Sequence, residues 1–189
     1  MPGPITLTKI EAARRQLRSA IELWFADGDP ISILTLAAAA HQIIHDLNRL
    51  NKGPDMLFDS LLIKNEFREE FVAKMKEPAN FLKHANNRGK KGLAKTFEFN
   101  PDLNAGFISF SIFGLRYLGE QLRAEEIAFG WWLSIKNPHL LTDAGRAWLE
   151  QVITPKNLTT FQGVSKPEFF KRIMQLIPID SPKERHELQ

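Results

Sequence analysis

The sequence predicts an all-α fold, a compact bundle of six to eight helices around a buried, alanine-rich second helix. Apolar residues recur every three or four positions through most of the chain, which is the helical period. Turn-forming sequences such as Gly28-Asp29-Pro30 and Asn51-Lys52-Gly53-Pro54 separate these periodic stretches. The alternation typical of a strand is confined to Thr96–Phe99, and one strand cannot make a sheet.

Length and composition are those of one globular domain. The chain has 189 residues, of which 43% are hydrophobic and 25% charged. We expect a single helical domain over residues 1–179 and a mobile polar tail over 180–189. Without cysteine, disulfides and thiolate chemistry are excluded. Because the sequence shows neither a secretory signal nor an apolar run of about 20 residues, we expect a cytoplasmic protein without a membrane partner.

The first two helices have the clearest boundaries. The first is predicted from Thr8 to Ala26 and the second from Ile31 to Leu50. In the second, the predicted apolar seam consists of Leu36, Ala40, Ile43, Leu47 and Leu50, and it is widened to most of the circumference by Leu34, Ala37, Ala38 and Ile44. Four consecutive alanines, residues 37–40, would let neighbouring helices approach closely, so this helix is predicted to lie in the middle of the bundle.

The remaining helices are predicted from caps and periodicity. Asn100-Pro101 is typical of a helix start, and Asn137-Pro138 of a helix end. The predicted segments are a helix within Met56–Lys76, a short one from Pro78 to about Asn87, one from Asn100 to about Arg123, one holding Ile127–Ile135, one from Thr142 to Val152, and one capped by Ser165. In the helix that starts at Asn100, the residues predicted to be buried are Leu103, Phe107, Phe110, Gly114 and Leu118.

His41 and His45 are spaced four residues apart on the second helix. This spacing places two imidazoles on one face, where they could bind one divalent metal ion. Helical zinc enzymes add a glutamate after the first histidine, but Gln42 stands there and no third ligand is evident. We therefore expect no metal or other cofactor, and His41 is interpreted as a hydrogen-bonded core residue.

A second polar set is predicted on the short helix that starts at Pro78. Asn80, His84 and Arg88 recur on one helical face, and Lys83 flanks them. An amide, an imidazole and cationic groups together suit an anionic ligand, or a general acid-base histidine beside cations. The alternative is a solvated face leading into a basic loop.

The catalytic candidates are His41, His84 and Lys83. An imidazole on the most buried helix is costly unless its nitrogens are paired. The polar face around Asn80 and His84 offers the densest set of partners, so we expect His41 and His84 to approach each other. If they meet in a sealed environment, the cluster is a structural polar network instead.

The pair Trp131-Trp132 lies in a helix with more aromatic surface than one small core needs. We therefore expect a homodimer that uses this helix.

Two segments resemble a group of small, uncharacterised bacterial helical proteins. One is Lys9–Leu47, KIEAARRQLRSAIELWFADGDPISILTLAAAAHQIIHDL, and the other is Pro78–Asn86, PANFLKHAN, followed by FEFNPDLN. Asn87-Arg88-Gly89 departs from the acidic run expected there. The resemblance covers the first half of the chain. It implies a bacterial, cytoplasmic protein, and it implies no particular activity.

Three hypotheses on function follow. The leading one is a non-enzymatic binding or regulatory protein that acts on a protein or a small anionic ligand. The alternative is a small His-dependent hydrolase or nuclease, with or without a metal ion. The third is nucleic-acid binding through the acid-free basic segment 83–95, although the net charge of the whole chain is only +3.

Overall fold

The computed structural model describes residues 3–56, 64–83, 96–143, 146–147, 161 and 163–177. Within these residues the chain is all-helical, as predicted, and contains no strand. The helices are α1 (Lys9–Phe25), α2 (Pro30–Leu50), α3 (Asn65–Lys83), α4 (Leu103–Tyr117), α5 (Ala124–Lys136) and α6 (Lys166–Leu176), with a 3-10 turn at Pro138–Leu140. No helix in this described part is both long and apolar enough to cross a membrane.

The junction between α1 and α2 forms as its sequence predicts. Asp27 has a left-handed backbone (φ 50°), and the Gly28 amide donates to the Leu23 carbonyl at 2.8 Å. The Asp29 carboxylate then caps α2 by accepting from the Ser32 hydroxyl and the Ser32 amide. These two hydrogen bonds lower the pKa of Asp29 below its usual value, and the bond from the Ser32 hydroxyl has the larger effect.

α4 ends six residues earlier than its predicted end at Arg123. Gly119 follows the helix with φ 77°, and the Glu120 amide donates to the Leu115 carbonyl at 3.0 Å. This is the left-handed glycine ending common at helix C-termini. The helical period of the apolar residues continues past Gly119, which is why the pattern alone placed the end too late.

The predicted start of a helix at Pro78 is wrong, because α3 runs through that proline. A proline inside a helix removes one backbone hydrogen bond and costs about 3 kcal/mol. Pro78 and Ala79 are, however, the buried residues of α3, so their packing offsets that cost. Beyond α3, Thr96–Phe99 forms no strand, and Phe97 stacks on Phe81 at a centroid distance of 5.3 Å.

The chain divides into two compact units. The first contains Met1–Trp24 and Gly28–Gln121, and the second contains Phe25–Asp27 and Leu122–Gln189. The expectation of a single domain over 1–179 stays a prediction, and the expected tail at 180–189 lies outside the described residues. So does most of the helix expected from Thr142 to Val152.

In the first unit, α2 packs along α4 and also contacts α3. The Asn104 side-chain amide donates to the Pro30 carbonyl at 3.0 Å, and further along both helices a Cβ on Gly114 would lie 2.5 Å from Ile44 Cγ2. Since these contacts follow the same order on both helices, α2 and α4 run in the same direction. Glycine at 114 is what permits the backbone of α4 to approach Ile44 so closely.

The face of α2 that is buried differs from the predicted seam. Leu36, Ile43 and Leu47 are only half-buried, and Leu50 is 78% exposed at the helix end. Ala40 of the predicted seam and all four residues predicted to widen it are buried. The full set of buried residues is Ile33, Leu34, Ala37, Ala38, Ala40, His41, Ile44, His45 and Asn48. The three alanines on this face are small enough to admit neighbouring helices closely, as expected.

The second unit has an aromatic core. The Phe169 ring meets Trp132 and Phe161 edge-on at 5.1 and 5.3 Å, and it stacks with Phe25 at 6.0 Å. Phe129 also packs against Phe25, at 6.3 Å. The Lys136 ammonium lies 4.5 Å above the Trp132 ring and donates to the Val164 carbonyl. The core of this unit therefore consists mainly of large rings.

Candidate functional site

A row of three polar side chains lies on the buried face of α2. His41 is fully buried, and His45 and Asn48 are nearly so. The centroids of the two imidazole rings are 6.1 Å apart and the ring planes differ by 25°, and the Phe107 ring from α4 lies perpendicular to His41 at a centroid distance of 5.6 Å. This arrangement places His41 within the α2–α4 interface, where a substrate could reach it only if the helices separated.

The C-terminal end of this row is tied to the backbone after α2. The Asn48 side-chain amide donates to the Pro54 carbonyl at 2.6 Å, and the Gly53 amide donates to the Asn48 carbonyl at 2.9 Å. A Cβ on Gly53 would overlap the Asn48 Oδ1 atom. Asn48 is therefore a structural residue that fixes the turn at the end of α2.

His45 connects the buried row to the surface. Its Nδ1 atom lies 3.4 Å from Oδ1 of Asp46, an exposed carboxylate that also accepts from the Gln42 side chain at 2.9 Å. The hydrogen bond from Gln42 thus helps to keep the Asp46 carboxylate beside Nδ1 of His45. His45 therefore has one acidic neighbour, Asp46. Nucleophilic catalysis would also need a nucleophile within hydrogen-bond reach of the imidazole.

His41 and His45 do not complete a metal site within the described part of the chain. No group of three or more histidine, aspartate or glutamate side chains there could hold a metal ion. The i, i+4 spacing predicted from the sequence does bring the two rings onto one face. That face points into the helix interface, toward Phe107, rather than toward further ligands.

The predicted anion-binding face is only partly described. Asn80 and Lys83 are exposed near the end of α3, whereas His84 and Arg88 lie outside the described residues. The expected approach of His84 to His41 therefore stays a prediction. Of the two histidines, the structure describes only His41, which is fully buried.

An exposed aromatic surface lies on α4, opposite its buried face. Phe110, Phe113 and Tyr117 expose 36%, 50% and 48% of their area, and the first two rings meet edge-to-face at 6.4 Å. Half-buried Leu103 and Gly106 continue the row toward the helix start. We call these five residues the α4 aromatic face.

This face was missed from the sequence because Leu103 and Phe110 were assigned to the core. Leu103 is only half-buried, as is Leu118, which was also predicted to be buried. Phe110 is 36% exposed instead, while the buried residues of α4 lie on another side of the helix. A signal did exist: Leu103, Gly106, Phe110, Phe113 and Tyr117 recur at intervals of three and four. Because α4 is apolar over most of its circumference, it carries two rows of apolar residues with this helical spacing. Periodicity alone cannot decide which of the two rows is buried.

Charged groups flank the α4 aromatic face on one side. Asp102, just before α4, and Arg116, in its last turn, are both exposed. Between them lies Ser109, whose hydroxyl donates to the Ala105 carbonyl at 2.7 Å. The surface thus combines an aromatic row with one acidic and one basic end.

A buried arginine fixes the end of α4 that carries Tyr117. The Arg14 guanidinium of α1, 5% exposed, donates to the Glu120 carboxylate at 3.0 Å and to the Gln121 carbonyl at 2.7 Å. A charged hydrogen bond with a buried donor is stronger than a neutral one. The aromatic face therefore stands on a helix whose C-terminal end is held in place.

Trp132, by contrast, offers little aromatic surface to a partner. It is 9% exposed, and its ring packs edge-on against Phe25 and Phe169. Trp131 beside it is half-buried. A homodimer through this helix stays a prediction, but the excess of exposed aromatic surface that motivated it is found on α4.

No protein-family model matches the chain, and neither a curated protein nor a solved structure matches it. The resemblance to small bacterial helical proteins stays a prediction. The function of this chain is thus to be argued from the geometry of its own residues.

Proposed function

We propose that the protein is a non-enzymatic binding or regulatory protein and that the α4 aromatic face is its protein-binding surface. The observation that carries this proposal is the exposure of three aromatic side chains in one row, two of them by about half of their area. Rows of tyrosine and phenylalanine are enriched in protein interfaces, and single exposed apolar residues are not.

The organisation of α4 supports the proposal. The opposite side of the helix is fixed on α2, through Asn104 and Gly114, and its end is held by Arg14. A preorganised surface loses less conformational entropy when a partner binds. Energetically, aromatic rings on a rigid helix are good anchors for such a partner.

The burial of His41 favours binding over catalysis. General acid-base chemistry needs an imidazole within hydrogen-bond reach of the substrate. His41 has no exposed area and packs against Phe107, and the outer histidine, His45, has Asp46 as its charged neighbour. The hydrolase alternative depends on His84 and stays a hypothesis.

The experiment that tests the binding surface is site-specific photo-cross-linking in the cell that makes the protein. We would incorporate p-benzoylphenylalanine at Phe113 in the full chain and, as a matched control, at Phe67, an exposed phenylalanine of α3 with 53% exposure. We expect a discrete adduct at 113 that is absent at 67. The cross-linked peptides are then identified by mass spectrometry.

The outcomes separate the hypotheses. One recurrent protein partner at 113 supports the proposed function, provided that wild-type protein produced in excess in the same cell competes for it and the Phe113→Ser protein does not. The same adducts at 113 and 67, or none at either position, would contradict a binding role for this face.

A further inference from the structure

We infer that the partner of the α4 aromatic face is a second copy of this chain, and that the two α4 helices pair in antiparallel orientation. This inference rests on the proposed function, because it names the occupant of the same surface. Three features carry it: the spacing of the face, the charges beside it and the shape of one residue within it.

The spacing is that of paired helices. Leu103, Gly106, Phe110, Phe113 and Tyr117 follow one another at intervals of three, four, three and four residues. These are positions a and d of a heptad, which form the seam between two helices that pack side by side. A row of this kind fits another helix with the same period, and α4 itself is such a helix.

The charges favour a self-complementary, antiparallel pair. Asp102, Ser109 and Arg116 are seven residues apart, so they lie along the same flank of the seam, position g of the heptad. When two identical helices pair antiparallel, this flank of one faces the same flank of the other. Asp102 of each copy then lies near Arg116 of the other, so two equivalent ion pairs form by symmetry.

A parallel pair would not use these charges. In that orientation position g faces position e of the partner. The residues at position e are Phe107 and Gly114, and both are buried against α2. Asp102 and Arg116 would then face no opposite charge on the partner, so the sequence of this flank specifies one orientation.

Gly106 supplies the shape that the aromatic rings need. A Cβ built on it would meet no heavy atom of a neighbouring element within 4 Å, so its surface is an open notch in the seam. The antiparallel arrangement brings the Phe110 and Phe113 region of one copy beside Gly106 of the other. Large rings facing a glycine let the two helices approach closely.

The size of the face sets the expected strength. Three aromatic side chains of ~200 Å² each, exposed by between a third and a half, offer roughly 270 Å² of apolar area. A stable interface buries about 800 Å² on each partner, so the rings supply about a third of it. We therefore expect a reversible dimer with a Kd on the order of tens to hundreds of micromolar.

The test is sedimentation equilibrium of the purified full chain from about 5 to about 500 µM. We expect the wild type to shift from monomer to dimer over this range. The single variants Asp102→Arg and Arg116→Asp each place like charges against each other twice, so each should associate about tenfold more weakly. Mixed in equal amounts, they restore both opposite-charge pairs, and the mixture should associate as the wild type does.

Controls distinguish a loss of association from a loss of folding. Circular dichroism checks that each variant is folded, and the neutral variants Asp102→Asn and Arg116→Gln replace the reversals if a reversed chain does not fold; each should associate a few-fold more weakly than the wild type. Phe113→Ser should abolish association, whereas the matched Phe67→Ser should leave it unchanged. Loss of association in both phenylalanine variants would contradict a specific role of α4.

A wild type that stays monomeric over the whole range overturns the inference, as does a dimer that is indifferent to both Asp102 and Arg116 or is not restored by mixing. The proposed function fails separately. If the photo-cross-link at Phe113 joins a peptide of another protein, the surface binds but its partner is not a second copy. If it joins a peptide of this chain, both hold.

Discussion

Helices α4 and α5 are both short, apolar and rich in aromatic residues, yet they use those residues in opposite ways. On α5, Trp132 and Phe129 are directed into the aromatic core of the second unit. On α4, Phe110 and Phe113 are exposed, and the helix packs on α2 through Gly114 and the Phe107 ring. The aromatic content of a helix thus does not indicate whether its rings form a core or a surface.

The nature of the packing partner explains the difference. α4 lies along a face of α2 that contains three buried alanines, and Gly114 lets the two backbones approach closely, so few rings fit between them. The Phe107 ring, packed against His41, does lie in this interface. α5 packs with α6, whose Phe169 is large, so their interface is filled by rings. Phe110, Phe113 and Tyr117 remain on the outer side of α4, where they are available to a partner.

The largest effect that would test this comparison is expected from truncating a ring in each region. Phe169→Ala should lower the free energy of unfolding by about 3–5 kcal/mol, because this fully buried ring contacts Trp132, Phe161 and Phe25. Phe113→Ala should change it by no more than about 0.5 kcal/mol. Urea denaturation at low protein concentration measures both.

Equal losses in the two variants would break the comparison, since they would mean that Phe113 is as much a core residue as Phe169.

A second, smaller effect contrasts the two sides of α4 itself. Gly114→Ala should destabilise the protein by about 1–3 kcal/mol, because the new methyl group would lie 2.5 Å from Ile44 Cγ2 and from Met56 Cε. Gly106→Ala meets open space and should stabilise the helix by about 0.5–1 kcal/mol. Thermal melts near 5 µM, where we expect mostly monomer, compare the two.

The decisive result is that the two substitutions change the stability of the protein in opposite directions. Were Gly106→Ala also destabilising at low concentration, the α4 aromatic face would be packed within the monomer, and its role as a binding surface would be refuted.

The sequence predicted the helical class and the starts of most helices, because caps and turns are local features. Gly28-Asp29-Pro30 and Asn51-Lys52-Gly53-Pro54 both lie where helices end. What it could not predict is which stripe of an apolar helix is buried. That choice depends on the partner helix, so Leu50 and Phe110 were placed inside although both are exposed.

The candidate site was predicted with similar limits. The burial of His41 follows from its place on an apolar helix, and it is confirmed. Its neighbour Phe107 could not be foreseen, because the contact joins residues 66 positions apart. The polar partners expected on α3 depend on how that helix lies against α2, and periodicity carries no information on this.

The smallest expected effect concerns the pair His41 and His84. Both histidines were predicted to approach each other because a buried imidazole needs polar partners. We expect the free-energy losses of His41→Ala and His84→Ala to be non-additive, with a coupling of about 0.5 kcal/mol or more in the double variant. Denaturation of the wild type, both single variants and the double variant measures it. Lys74→Ala, an exposed change on α3 away from this polar face, serves as the control and should not couple with His41→Ala.

The result also bears on the contrast between α4 and α5. A measured coupling would show that the α2–α4 interface contains a polar network reaching beyond these two helices, in contrast to the aromatic core around Phe169. Additive losses would mean that His84 does not contact His41, and both the catalytic hypothesis and the anion site built on it would be abandoned. The packing of His41 would then rest on α2 and α4, where the Phe107 ring lies perpendicular to the imidazole at a centroid distance of 5.6 Å.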